Sequence, residues 1–200
     1  MKLINQSNVT NWLIIKGFAN EEEKEIIEYG LYQGFLMLIN ILTTFFLGFI
    51  FNVFWQSIIF LISYMLLRTY AGGYHANTKN RCYILSVVIM IICFFLINNF
   101  ELTMKFGVLL SAISGILIFT LAPVANDVKP LEEVEVKIYK NKARKIFVIE
   151  FAIAIIAEML GKNGIFDTIV LSISTTSILL ALGYLKYNVL LNVSQLNTKE

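Results

Sequence analysis

The residues able to do chemistry gather in one stretch, RTYAGGYHANTKNRC from Arg68 to Cys82. It holds the only histidine of the chain, its only Gly-Gly pair and one of its two cysteines. A thiol and an imidazole make a nucleophile and its base if they approach within about 3 Å. On one continuous helix, a seven-residue separation would leave the backbones of His75 and Cys82 about 10 Å apart. The chain between them must therefore fold back, and Gly72, Gly73, Asn77 and Asn80 are residue types that permit turns. Thr78 or Asn80 then suits the N-cap of a helix running into the apolar stretch Tyr83 to Asn98, which leaves Cys82 in its first turn. Free N–H groups there, with Lys79 and Arg81 alongside, favour negative charge on the sulfur. Cys82 is the candidate nucleophile and His75 the candidate base. The bland alternative is a surface histidine and a small core cysteine. Two ligands fall short of the three or four that zinc takes, so no metal is expected, and nothing in the pattern calls for a cofactor.

Gly-Gly-x-His, followed seven residues later by Cys and preceded by Arg68, resembles the accessory gene regulator B family. Ala122-Pro123 and Lys129-Pro130, the only prolines, follow the fourth apolar run as they do in that family. The resemblance implies an integral-membrane cysteine endopeptidase that processes the precursor of a cyclic quorum-sensing peptide. It makes Cys82 the nucleophile and His75 the base, with Arg68, Gly72 and Gly73 shaping the site. The implied partner is a small precursor peptide of the accessory gene regulator D type, whose ring closes as a thiolactone or lactone; a homodimer is a further implication. The residues themselves do not choose among Asn77, Asn126 and Asp127 for a third group that orients the imidazole.

The elements that must position these residues are helices in a membrane. The chain is 58% hydrophobic and 15% charged, against roughly 25% charged in soluble domains. The expectation is an all-α, polytopic membrane protein forming a single domain over residues 1–200, with about six spans near 31–51, 53–70, 83–97, 106–122, 146–160 and 165–185. Residues 1–20 mix Trp12 and aliphatic residues with polar ones and suit an interfacial amphipathic helix. With six spans both termini share a side with the His75/Cys82 loop, and of the 16 lysines and arginines only Lys105 and Lys162 fall opposite. The positive-inside rule then puts the termini and the candidate site in the cytoplasm, where both thiols stay free.

A net charge of +2 gives no reason to expect nucleic acid. The segment Val124 to Lys145 reads as one long loop whose basic end, Lys137, Lys140, Lys142, Arg144 and Lys145, meets anionic lipid or a substrate tail. Glu150 is expected to snorkel to the near interface and Asp167 to sit at the far one. The small polar residues Ser172, Ser174, Thr175, Thr176 and Ser177 suit close helix packing. A transporter, or a scaffold that docks peptide without chemistry, is the competing class. It is weakened by the lack of charges at the midplane and of paired broken helices.

Overall fold

A computed structural model of the chain describes residues 6–18, 20–74, 76, 78–124 and 132–197. Among these residues the build is all helical: α1 Gln6–Ile15, a 3-10 turn Glu21–Glu23, α2 Lys24–Ile50, α3 Phe54–Ala71, α4 Lys79–Asn99, α5 Met104–Leu121, α6 Glu133–Met159 and α7 Asn163–Asn197. Four helical segments are long and apolar enough to cross a membrane: Glu21–Ile50, Asn80–Asn99, Met104–Leu121 and Asn163–Tyr187. The protein is an α-helical membrane protein, as expected. The stretches expected as the second and fifth spans fall in α3 and α6, the helices that carry Arg68 and the basic run, and neither is among these four.

Two compact units divide the chain near Thr43. In the first, α1 exposes Val9, Trp12 and Ile15, spaced three apart along one stripe. Helix formation after Asn20 follows the acidic start expected there, with the Glu23 carboxylate accepting the Asn20 N–H at 3.0 Å.

The second unit is organised around α7, on which α3, α5 and α6 pack, with α4 alongside. Phe166, Val170, Ile173 and Leu180 of α7 are fully enclosed, together with Leu67, Ile118, Ala143 and Ala154 from the surrounding helices. The small polar residues on α7 do allow close approach, and they also bond across helices. Ser177 Oγ donates to Ser114 Oγ at 3.0 Å, and Ser114 to Ser174 at 3.4 Å. Such bonds add specificity between spans that hydrophobicity alone cannot supply inside lipid. A second cluster, Leu47, Val53, Phe60, Met90, Cys93 and Phe94, joins the end of α2 to α3 and α4. The α2–α3 connection is the expected tight hairpin, turning through Asn52 at φ 55°.

Three expectations are corrected. Much of Val124 to Lys145 is helix, because α6 already starts at Glu133, where the Glu135 carboxylate accepts the Glu132 N–H at 3.2 Å. The basic run therefore lies on a helical surface. Glu150 does not snorkel: it sits on the inward face of α6, 6% exposed, in the same layer as buried Ala143, Phe147 and Ala154. Asp167 is likewise buried and accepts the Leu102 N–H at 3.3 Å, tying the α4–α5 connection to α7.

Candidate functional site

The site is built where α3 ends. Gly72 stops that helix at φ 72° and Gly73 continues at φ 127°, backbone conformations that a side chain would disfavour. The last turn of a helix leaves carbonyls without intrahelical donors, and a cation placed there meets both those oxygens and the helix dipole. Arg68, one turn before the glycines, carries its charge to that end and reaches just past the last helical residue. Its Nη1 donates to the Gly72 carbonyl and its Nη2 to the Tyr74 carbonyl, closing the segment like a staple.

Two other connections hold the stapled segment from outside. The Val124 N–H, just beyond α5, donates to Ala71 O at 3.0 Å, and Gly72 and Val124 form a single parallel bridge. From α7, the Leu179 carbonyl accepts the Tyr74 N–H at 2.7 Å. The close fit depends on glycine on both sides, since a Cβ on Gly183 would lie 2.5 Å from Gly73 C and from Tyr74 N. Sequence reasoning missed Leu179, Gly183 and Val124 as groups that hold this segment. A lone glycine inside an apolar helical run was the one available signal, pointing to close backbone approach at Gly183.

Cys82 stands where the cap predicts. Thr78 is the N-cap of α4, its hydroxyl accepting the Arg81 N–H at 3.4 Å and its carbonyl the Cys82 N–H at 3.0 Å. The thiol is half-buried and free. Cys93, in contrast, is buried along α4 with its sulfur 3.4 Å from Thr175 Oγ1, and it too is free. His75, Asn77, Asn126 and Asp127 lie outside the described residues, as do Lys129 and Pro130. Among the described residues no group of three His, Cys, Asp or Glu side chains could hold a metal ion.

Basic and aromatic side chains crowd the same end of the bundle. Lys142 Nζ stands 4.9 Å from the centre of the Tyr70 ring, which packs edge-on against Tyr139. Lys186 Nζ stands 5.1 Å from the Tyr74 ring. Arg144 turns away from its basic neighbours, donating to Phe119 O at 2.6 Å and covering the Phe119 ring at the end of α5. Lys137, Lys142 and Lys145 remain exposed and Lys140 half-buried. The end of α3, the end of α5, the first half of α6 and the later part of α7 thus meet at one pole, and the chain leaves that pole through Tyr74 towards the start of α4 and Cys82.

Comparison with known proteins agrees with this picture. Residues 6–182 match the family described as Accessory gene regulator B. An AgrB-like protein of Clostridium perfringens strain 13 is 34% identical over 153 residues, covering 72% of each chain. The accessory gene regulator protein B of Staphylococcus intermedius is 30% identical over 115 residues, covering 58% of this chain and 61% of its own. No solved structure matches. The chain belongs to the accessory gene regulator B family.

Proposed function

We propose that this protein is a membrane-embedded cysteine endopeptidase that cleaves a small quorum-sensing precursor of the accessory gene regulator D type. Family membership gives it a role in the processing of accessory gene regulator peptides. The observation that carries the finer reading is the seat of Cys82: a half-buried thiol in the first turn of α4, in the segment that follows Gly72 and Tyr74, whose carbonyls Arg68 holds. The Cα–Cβ bond of a helical residue tilts toward the helix N-terminus, so the sulfur lies over the first turn and its unpaired N–H groups. Thr78 already takes the N–H groups of Arg81 and Cys82. Those of Lys79 and Asn80, which have no intrahelical acceptor, are left to meet a developing oxyanion.

In this mechanism His75 takes the Cys82 proton and the thiolate attacks the scissile carbonyl. The C–N bond then breaks as the imidazolium protonates the leaving amine, and the precursor's N-terminal part stays on sulfur as a thioester. A cysteine of the precursor attacks that thioester, forming the thiolactone and releasing Cys82; a serine would give the lactone. In the same proposal the helices form six spans of one domain. Helix α1 lies at the membrane surface, and both termini and Cys82 face the cytoplasm, the side that the basic pole favours.

Co-expression with the precursor tests this. Cys82→Ala and His75→Ala should each abolish the shortened product by mass spectrometry while membrane insertion persists, and Cys93→Ala should be silent. A transporter or docking scaffold would keep its behaviour in the first two variants. An active Cys82→Ala chain sinks the protease reading.

A further inference from the structure

We propose that Gly183 of α7 is a positioning residue for the reaction at Cys82: its bare backbone is the seat on which Gly73 and Tyr74 rest. The inference rests on the cysteine endopeptidase reading above. Three observations converge on it. The three atoms nearest a Cβ at Gly183 would all be backbone, at 2.5 Å from Gly73 C, 2.5 Å from Tyr74 N and 2.8 Å from Gly73 Cα. In the other direction, a Cβ at Gly73 would lie 2.8 Å from Leu179 O. Between the two glycines runs the Tyr74 N–H to Leu179 O bond of 2.7 Å, one helical turn before Gly183.

Backbone atoms cannot rotate out of the way as the tip of a flexible side chain can. Ordinary contact for a Cβ begins at 3.4 Å, so a methyl group at Gly183 displaces the segment by about 1 Å, a misplacement that can cost about 10²-fold in rate. The segment cannot yield evenly, because Arg68 holds its two carbonyls from α3 and Val124 holds its start. Tyr74 is the residue before His75 in the chain, and Thr78, four residues beyond Tyr74, starts the helix that carries Cys82. A shift at Tyr74 therefore passes straight to the next residue, the proposed base, on the way to the helix that carries Cys82. Helix α7 contributes no nucleophile or base to the proposed reaction, yet it sets the level at which the loop enters the site.

The test uses the full chain in lipid vesicles with the precursor peptide, active sites being counted by Cys82 alkylation. Per active site, Gly183→Ala should lower the single-turnover rate at saturating precursor by about 10²-fold and leave half-saturation within a few-fold. A merely structural role would lower the number of active sites without slowing those that remain. Should Gly183→Ala fail to fold, Tyr74→Pro examines the contact from the loop side, because proline has no N–H to give Leu179. Tyr74→Ala, which keeps the N–H, is its reference, and Tyr74→Pro should be at least tenfold slower than it. Wild-type rates per site in Gly183→Ala, or equal rates in the two Tyr74 variants, overturn the inference. Either result with an inactive Cys82→Ala chain overturns it alone, whereas an active Cys82→Ala chain removes the enzyme reading beneath it.

Discussion

Replacing Arg68 by lysine is the most informative single change at the staple, because it keeps the charge and removes the fork. The guanidinium reaches the Gly72 and Tyr74 carbonyls with two different nitrogens. An ammonium group is a point donor on a flexible stem and can serve one of those carbonyls at a time. A hydrogen bond to a charged group is worth about 1.5–3 kcal/mol, and the half-buried setting of Arg68 argues for the lower end. Arg68→Lys therefore loosens the segment by about 1.5 kcal/mol, roughly tenfold in the population held in place. Arg68→Ala, losing both bonds, loosens it by about 3 kcal/mol, or roughly 10²-fold. Hydrogen exchange of the peptide covering residues 72–78 reads this directly, since the Tyr74 amide is protected by Leu179 O. Processing of the precursor should fall in the same order: wild type, then lysine, then alanine. If lysine and alanine exchange and process alike, the two-pronged geometry carries no weight. If both match wild type, the staple does not hold the loop.

Other consequences can be checked separately. Glu150 is buried, and among the described residues neither its carboxylate oxygens nor the Ser63 hydroxyl on the neighbouring α3 has a hydrogen-bond partner. An unpaired buried carboxylate costs several kcal/mol, so the isosteric Glu150→Gln should raise the midpoint of thermal unfolding in detergent, by about 2–4 °C for each kcal/mol relieved. A lowered midpoint would mean that the carboxylate is satisfied in the membrane by something it binds. A membrane-impermeant maleimide should label Cys82 in inverted vesicles and not in intact cells, with Cys93 protected in both; labelling of Cys82 from outside reverses the proposed orientation. Charge reversal at Lys137, Lys140, Lys142 and Lys145 should weaken capture of an acidic precursor tail and make processing less sensitive to salt. Arg144 is kept in that variant because it closes the end of α5. Unchanged salt sensitivity with normal insertion leaves those lysines to the lipid.

The sequence by itself determined the helical class and the stretch that holds the candidate site. Apolar helical runs, the turn glycines after Arg68 and a cap at Thr78 are local features, each acting within a few residues, and the structure has helices over those runs, the break of the helix at Gly72 and Gly73, and the cap. It also determined the family, through the spacing of Gly72, Gly73, His75 and Cys82. The start of α6 was missed although the signal was local, because a glutamate at the cap position, Glu132, is a weaker marker than serine or threonine. The tertiary structure alone decided which face of each span turns inward. In water the apolar stripe of a helix announces its buried side, but a span that is apolar all round carries no such stripe. Glu150 could therefore be read as reaching for the interface when its face of α6 is the buried one. For the same reason Gly183 gave no notice of its partner, since its contact with Gly73 depends on how α3 and α7 are rotated against each other. That rotation is set by small residues, close packing and interhelical hydrogen bonds between segments more than a hundred residues apart in the chain.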